Sequence, residues 1–476
     1  MQSRINPRSV LFPLVVVSEF CNAALYNTVV ETNHGPIQGY PAFNSTPSGN
    51  LTNWEHITVW KGIPFAASTA AQNRFRSPQP AESWNQTLLA KDFGPICPSA
   101  TTGDNGYNIS EDCLNLNIWS AANSSDAKLP VVMWSYPAES TAADALFDGG
   151  GMADKGIVYV NYNYRTGSFG WLAHPWLSDE VLEETGHNSS GKWGMLDQFA
   201  ALKWIHANIA AFGGDPDHIT VMGQSAGSAA TYHIVNSPLT KGLIVGAIIE
   251  SGVRDPHDPL ATSLAEGYQT LETALETGEE YVASLNVSSL EELRALPMDN
   301  LTTSFMDTPT YLESLQKGPA NDIPIITGNT KDESGANYGQ VEKVTEYYSF
   351  LNETYDSDTG NWTSEFLALY PTDNSTSATG AYDSQFTDRS KVGTWLWANL
   401  WHPAASSPVY TYFWDHAPPN QTRGAYHESE INYVLNNLYD TDSPWTAEDY
   451  EIAAKMNGYW ADFIKTGDPN GNNLPS

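Results

Sequence analysis

The middle of the chain alternates between two patterns of apolar residues. Short continuous apolar runs, typical of strands buried on both faces, occur at residues 115–119, 131–134, 156–164, 218–222, 246–251 and 324–329. Residues 196–212 instead carry apolar side chains at helical spacing, and a Gly-Gly-Asp-Pro turn then leads into the run at 218–222. This alternation predicts an α/β fold with a central, mostly parallel sheet and helices on both faces.

Two later segments, residues 263–319 and 342–401, have helical patterns. We expect them to be helix-rich insertions that cap a substrate pocket. Three tryptophans within residues 393–402 fit the core side of a helix better than an aromatic binding site. Although 476 residues could form two or three domains, such insertions account for the length, and we predict one domain over residues 24–476.

The first 23 residues have the organisation of a secretory signal peptide. Arg4 and Arg8 form a basic start, residues 10–17 are apolar, and Cys21-x-Ala23 provides small residues for cleavage after Ala23. The apolar run is too short to cross a bilayer, and no later run is long enough for a transmembrane helix. We therefore expect a secreted protein without a stable membrane anchor.

Asn-x-Ser/Thr sequons agree with a secretory route, because N-glycans at these sites would lie on surface loops. The twelve sequons begin at Asn44, Asn50, Asn85, Asn108, Asn123, Asn188, Asn286, Asn300, Asn352, Asn361, Asn374 and Asn420. A single sequon arises easily by chance, whereas twelve behind a signal-like start predict a glycoprotein.

The charge and cysteine content restrict the partners of the protein. There are 22 Lys and Arg residues against 55 Asp and Glu residues, a net charge of −33, which disfavours nucleic acid and anionic membranes. Cleavage after Ala23 would remove Cys21 and leave Cys97 and Cys113, which in an oxidising compartment predict one disulfide. We expect no cofactor and no metal, and a small-molecule substrate.

The strongest chemical motif is Gly223-Gln224-Ser225-Ala226-Gly227, between a strand-like run and a helix-like run. A Gly-x-Ser-x-Gly sequence at such a junction predicts a nucleophile elbow, a sharp turn that projects the serine oxygen from the sheet. Ser225 is then the candidate nucleophile. The N–H of Ala226, at the helix N-terminus, is a candidate donor to an oxyanion.

A serine nucleophile needs a general base and a carboxylate that orients the base. In a sheet of this kind the expected chain order is serine, acid, histidine. The strand at 324–329 is followed by Asp332 and Glu333, and either could be the acid. His427, in a turn after the last strand-like run, is the candidate base.

The motifs taken together resemble the type-B carboxylesterase family, which includes cholinesterases and Candida-type lipases. The resemblance rests on WKGIPFA (60–66), EDCLNLNIW (111–119), NYRTGSFGWL (163–172), FGGDPDHITVMGQSAG (212–227), GNTKDES (328–334), GAYHESEINYV (424–434) and YWADFIKTGDPN (459–470). It implies an α/β-hydrolase fold, with Ser225 as nucleophile, Glu333 as acid and His427 as base. It also implies a Cys97–Cys113 disulfide, and a supporting role for Ser251 beside the acid.

The chain departs from the family at the loop that should supply oxyanion donors. Counting from Trp134, the family's His-Gly-Gly-Gly loop falls on Tyr136-Pro137-Ala138-Glu139. The donors would then be the N–H groups of Ala138 and Glu139, and Pro137 occupies a position that need not donate. A positive φ at Ala138 would be costly. A charged Glu139 side chain pointing inward would oppose the oxyanion, so Glu139 should point away or be protonated.

Three further departures are smaller. Ser334 follows the acid where the family usually has glycine. The segment at residues 301–315 is shorter than in the family, and the chain ends soon after residue 470. The later glycines at 149–151 are expected to form a turn.

The sequence therefore predicts a secreted serine carboxylic-ester hydrolase that works through an acyl-enzyme. Short-chain or aromatic esters are the expected substrates, because the 15-residue loop between Cys97 and Cys113 is too short for a lipase flap and lacks tryptophan. Gln224 in place of an acid also disfavours a quaternary ammonium substrate. The alternatives are a catalytically weak or silent binding relative, or a small-molecule lyase or dehydratase on the same scaffold.

Overall fold

A computed structural model describes residues 24–49, 51–99, 106–255, 270–302, 318–333, 343–355 and 362–471. The predicted signal peptide, Ser334 and most of the short segment 301–315 lie outside the described residues.

The strands are β1 (Val29–Glu31), β2 (Pro36–Gln38), β3 (Tyr40–Pro41), β4 (Thr58–Pro64), β5 (Leu88–Leu89), β6 (Asn115–Ser120), β7 (Leu129–Ser135), β8 (Val158–Tyr162), β9 (Gly214–Gln224), β10 (Gly246–Glu250), β11 (Ile325–Thr330) and β12 (Val409–Trp414). Nine of them form one sheet in the order β12-β11-β10-β9-β7-β8-β6-β4-β3, and β1, β2 and β5 form a small second sheet. From β12 to β8 all neighbours are parallel, whereas β8, β6, β4 and β3 pair antiparallel.

The helices are α1 (Gly150–Asp154), α2 (Gly167–Trp171), α3 (Pro175–Thr185), α4 (Trp193–Asn208), α5 (Ala226–Asn236), α6 (Leu271–Ser284), α7 (Leu290–Ala295), α8 (Val344–Tyr355), α9 (Thr363–Leu369), α10 (Ser375–Trp401), α11 (Ile431–Leu435) and α12 (Ala447–Thr466). The α/β prediction is therefore confirmed. The described parts of the two predicted insertions are helical, with α6 and α7 in the first and α8, α9 and α10 in the second.

Burial explains why the central strands have continuous apolar runs. Every residue of β8 and of β10 is buried, because helices cover both faces of the sheet. The adjoining helices start and stop at local signals. A capping box at Asn374 begins α10, another at Thr446 begins α12, and Gly467 ends α12 in the left-handed conformation.

Two local predictions need correction. Gly150 and Gly151 do not form a turn but begin α1, where a side chain at Gly151 would overlap the backbone carbonyl of Leu435. The glycines permit close packing of α1 against the end of α11. In the tryptophan cluster, Trp397 and Trp401 are buried and stack with ring centroids 5.2 Å apart, whereas Trp395 is 63% exposed. The core interpretation thus holds for two of the three tryptophans.

The sheet brings several candidate residues to one edge. Because β7, β9, β10 and β11 are parallel neighbours, the segments that follow their carboxyl ends lie side by side. Within the described residues no helix is both long enough and apolar enough to cross a membrane.

Candidate active site

Ser225 lies between β9 and α5 without an intervening loop. Its φ of 53° and ψ of −119° are unusual for a residue other than glycine, and such strain is typical of functional turns. A side chain at Gly227 would overlap the carbonyl oxygen of Ser135, and one at Gly223 would overlap the carbonyl of Gly227. Both glycines of the motif are therefore required by close backbone packing.

The backbone around Ser225 is fixed by hydrogen bonds on both sides. Its N–H donates to the carbonyl oxygen of Glu250 at the end of β10 (3.0 Å). Its own carbonyl oxygen accepts from the N–H groups of Ser228 (2.9 Å) and Ala229 (3.1 Å) in the first turn of α5. These bonds hold the elbow to the neighbouring strand and to the helix, so that Ala226 occupies the first helical position.

Glu333 contacts His427 directly. Its Oε2 lies 2.6 Å from His427 Nδ1, and its Oε1 accepts hydrogen bonds from the N–H of Thr330 (3.0 Å) and from Asn329 Nδ2 (3.3 Å). The Glu333 side chain is only 1% exposed. Burial alone would raise the pKa of Glu333, but the adjacent His427 outweighs it, and the pKa falls to about 2.

Two nearby groups affect the same carboxylate. The charge of Arg254 helps to lower the pKa of Glu333, and Ser251 lies beside the carboxylate. Ser251 is buried after β10 with a φ of 52°. Its hydroxyl lies near Glu333 but outside hydrogen-bond geometry in this structure. The Ser251 position predicted from the family is therefore adjacent to the acid.

Asp332, the other candidate acid, has a different partner. Its Oδ2 accepts a hydrogen bond from the N–H of Ala425 (2.7 Å), and its own N–H donates to the Ala425 carbonyl (3.0 Å). Asp332 thus joins the segment after β11 to the turn that carries His427. Geometry separates the two carboxylates that the local sequence left equivalent.

The His427 ring is held on one side by Glu333 and over one face by Gln224. Gln224 Nε2 lies 3.3 Å from Nε2 and 3.5 Å from Nδ1 of the ring. An amide this close to both nitrogens must sit above the ring, because their lone pairs diverge within the ring plane. The contact was not predicted from the sequence, since Gln224 and His427 are 203 residues apart.

The protonation of His427 depends on opposing charges. Burial lowers the pKa of His427, but the Glu333 carboxylate, assisted by Glu428, raises it above its ordinary value, and Arg254 acts in the opposite direction. With Nδ1 donating to Glu333, neutral His427 has an accepting Nε2. Within the described residues Ser225 Oγ makes no hydrogen bond. A hydrogen bond between a nucleophile and its general base is often long until substrate binds.

The loop after β7 begins in the core and then becomes exposed. The buried Tyr136 ring stacks on Tyr164 with centroids 4.5 Å apart, and the Tyr164 hydroxyl donates to the Tyr136 carbonyl (3.1 Å). Ala138 and Glu139 are exposed. The positive φ considered for Ala138 occurs instead at Glu139, where φ is 64°. Burial, which is the larger cause, and the charge of Glu139 both raise the pKa of Glu428, the residue after His427.

The predicted disulfide between Cys97 and Cys113 is present. The segment around Cys97 is hydrogen-bonded to the residues after β8. Asn163 Nδ2 donates to the Pro95 carbonyl (3.2 Å), and Thr166 Oγ1 donates to the Pro98 carbonyl (3.3 Å). Among the described residues no group of three or more His, Cys, Asp or Glu side chains is arranged to hold a metal ion.

A largely parallel sheet with a Gly-x-Ser-x-Gly turn at its carboxyl edge defines the α/β-hydrolase class. Residues 26–476 match the family described as "Carboxylesterase family". The chain belongs to this family, and the protein is a carboxylic ester hydrolase.

Relatives and solved structures agree with this assignment. The chain is 31% identical over 463 residues to "Fumonisin B1 esterase" of Sphingopyxis macrogoltabida, covering 89% of this chain and 82% of that protein. It is 30% identical over 472 residues to "Para-nitrobenzyl esterase" of Bacillus subtilis (strain 168), covering 93% and 90%. A solved "PNB esterase" structure aligns with a TM-score of 0.72 at 28% identity, over 94% of this chain and 92% of that one.

Proposed function

We propose that the protein hydrolyses short-chain or aromatic carboxylic esters through an acyl-enzyme on Ser225, with His427 as general base and Glu333 as its orienting acid. The contact between Glu333 Oε2 and His427 Nδ1 (2.6 Å), beside the strained Ser225 turn, is the observation that carries this proposal. The contact fixes the tautomer in which Nε2 can accept a proton.

In this mechanism His427 Nε2 removes the proton of Ser225 Oγ as the oxygen attacks the ester carbonyl. The tetrahedral oxyanion accepts hydrogen bonds from the N–H of Ala226 and from those of Ala138 and Glu139. The intermediate collapses, and His427 protonates the departing alcohol. A water activated by His427 then attacks the acyl-enzyme and releases the carboxylic acid.

Glu333 remains ionised throughout, since its pKa of about 2 lies far below neutral pH. Its charge stabilises the imidazolium that forms when His427 holds the serine proton. Its two additional hydrogen bonds, from Thr330 N–H and Asn329, keep the carboxylate fixed while that charge appears.

The substrate class rests on the loop between Cys97 and Cys113. With fifteen residues between the cysteines, the loop cannot supply an extended flap over the site. One relative bears the name of a para-nitrobenzyl esterase, which agrees with an aromatic ester. Activity on dissolved aromatic and short-chain esters, without a jump in rate on triglyceride emulsions, is the expected result.

Secretion and N-glycosylation belong to the same proposal. All sequon asparagines among the described residues are exposed, as glycan attachment requires: Asn44, Asn85, Asn108, Asn123, Asn188, Asn286, Asn300, Asn352, Asn374 and Asn420. Expression in a eukaryotic secretory host should give a protein whose mass falls on treatment with an N-glycosidase and whose N-terminus begins after Ala23.

A fluorophosphonate probe with an ester panel tests the assignment. The probe should label Ser225, identified by peptide mass, and labelling should abolish hydrolysis. Ser45→Ala, a change on an exposed loop, is the matched control and should leave both unchanged. Labelling at a different serine would refute the nucleophile. Labelling at Ser225 without turnover of any ester would favour the silent or non-hydrolytic alternative.

A further inference from the structure

Two glutamates lie buried beneath the candidate site and have no role in the mechanism above. Glu250 is the last residue of β10, and Glu430 follows His427 by three residues and precedes α11. Neither side chain is exposed to solvent. Trp460 Nε1 donates to Glu250 Oε1 (2.6 Å). Glu250 Oε2 and both oxygens of Glu430 have no hydrogen-bond partner within the described residues.

Full ionisation of both side chains is physically unfavourable. A buried carboxylate needs hydrogen-bond donors or a cation, and across the described ranges neither glutamate forms an ion pair. Glu333, which is ionised, lies near Glu430 and adds repulsion. Burial raises the pKa of Glu250 to about 8, and burial together with the charges of Glu250 and Glu333 raises the pKa of Glu430 well above its ordinary value.

We propose that Glu250 and Glu430 retain at least one proton between them at neutral pH, and that this protonated pair positions the Ser225 elbow relative to the His427 turn. Glu250 contacts the elbow through its backbone, and Glu430 joins the His427 turn to α11. The carbonyl of Glu250 accepts the N–H of Ser225 (3.0 Å), and the carbonyl of Glu430 accepts the N–H groups of Tyr433 and Val434 (both 2.9 Å). Because the charge of Glu250 acts on Glu430, a proton on either side chain removes a repulsion between the ends of the two segments that carry the reacting groups.

The proposal predicts a loss of stability as pH rises above the ordinary pKa of glutamate. The groups that face the pair are Glu333 after β11, Tyr412 on β12, Tyr159 on β8, Glu428 on the same turn and the Trp460 indole on α12. None of these is a cation. Because the folded pKa of each glutamate lies above the ordinary value, the contribution to stability is complete below the ordinary value and is progressively lost as pH rises toward the folded pKa, which is about 8 for Glu250.

Deprotonation should also reduce activity, because a second buried charge would separate the two glutamates and move the elbow away from the histidine. A displacement of about 1 Å can reduce turnover by about 100-fold. This effect rests on the proposed roles of Ser225 and His427. The proton itself does not, and it can be measured without substrate.

Infrared difference spectroscopy of the wild-type protein is the direct test. At neutral pH it should show the carbonyl band of a protonated carboxyl group, and this band should weaken as pH rises through about 8, where Glu250 titrates. The band should be lost in a Glu250→Gln, Glu430→Gln double variant and retained in Glu451→Gln, which changes an exposed glutamate on α12. Absence of such a band from the wild-type protein at neutral pH would overturn the proposal.

Stability and activity profiles test the positioning role. Glutamine mimics the protonated side chain, so the double variant should stay active at neutral pH and should lose the decline in melting temperature and in kcat that accompanies rising pH in the wild-type protein. Glu430→Ala should lower kcat with little change in KM, and Glu430→Gln should restore it. A decline with rising pH that is identical in the wild-type protein and the double variant would refute the pair as its origin.

Discussion

Strands β7 and β9 are neighbours in the sheet, and the turns that follow them differ in how they are held. After β9, Ser225 is half-buried, and its positive φ is maintained by glycine contacts with β7 and by hydrogen bonds to β10 and α5. After β7, Tyr136 is buried, but Ala138 and Glu139 are exposed. The left-handed conformation of Glu139 thus occurs where few neighbours restrain it.

The difference shows that strain alone does not identify the functional turn. At Ser225 the surrounding structure determines the unusual conformation, which is the condition under which strain persists and contributes to function. At Glu139 the conformation depends on the local chain. Substitutions in the elbow should therefore abolish most of the activity, whereas the effect of a substitution in the β7 loop should depend on its position.

The largest expected effect is at the elbow. Ser225→Ala should reduce ester hydrolysis by about 10⁴-fold or more, and His427→Ala should reduce it nearly as far, because the members of a triad act together. Initial rates on a p-nitrophenyl ester measure the effect, and the melting temperature should change little. Substantial residual turnover in purified Ser225→Ala would place the nucleophile elsewhere.

The β7 loop should show an intermediate effect that depends on a single N–H. Ala138→Pro removes that N–H, and loss of one oxyanion donor typically lowers kcat by about 100- to 1000-fold. Ala138→Gly keeps the N–H and is the matched control, with an expected kcat close to that of the wild-type protein. Equal kcat values for the two variants would mean that Ala138 is not a donor.

The elbow was predictable because its determinants are local. Two glycines, a serine and the adjoining strand and helix lie within consecutive residues, and the fold class follows from the same alternation. The choice between Asp332 and Glu333 was not local, because it depends on which carboxylate meets a turn about 94 residues later. The resemblance to the family indicated Glu333, and the contact with His427 agrees with it.

Other features could not be derived from the sequence pattern. The contact of Gln224 with His427 and the burial of both Glu250 and Glu430 near the site depend on tertiary packing, which brings together distant parts of the chain. The glycines at 149–151 suggested a turn because glycine favours turns, whereas tertiary contact with Leu435 is what excludes side chains there. The positive φ that was considered for Ala138 occurs at Glu139, and an ungapped count of residues could not have indicated this because it contains no information about torsion angles.

A smaller effect is expected on the pH dependence of kcat/KM when Gln224, the residue before Ser225, is changed. Gln224→Glu would place a carboxylate over the His427 ring and raise the pKa of His427 further, in the same direction as Glu333. Since the base acts only when neutral, the acidic limb of kcat/KM should move to higher pH. At a fixed pH below the limb, the rate falls about tenfold for every whole pH step by which the limb moves upward.

Two variants serve as controls for this change in the pH profile. Gln224→Met has a similar volume without a charge and should leave the limb in place. Glu428→Gln removes a charge that raises the pKa of His427, so the limb should move to lower pH. Full pH–rate profiles distinguish these outcomes, and movement of the limb in the same direction for Gln224→Glu and Glu428→Gln would contradict the electrostatic explanation.

The smallest expected effect distinguishes the two turns by stability. A non-glycine residue in the left-handed region costs about 1 kcal/mol or more, so Glu139→Gly should raise the free energy of unfolding by up to about 1 kcal/mol after the entropy cost of glycine is included. Ala138→Gly relieves no such strain and should lower the free energy of unfolding by about 0.5 kcal/mol.

Glu139→Gln is the control for charge, because it keeps the backbone restriction while removing the charge. A gain in Glu139→Gln equal to that in Glu139→Gly would assign the effect to repulsion from Glu428 instead. Urea denaturation of the three variants measures these differences. A loss of stability in Glu139→Gly would mean that the loop holds Glu139 through side-chain contacts, which would remove the contrast with Ser225.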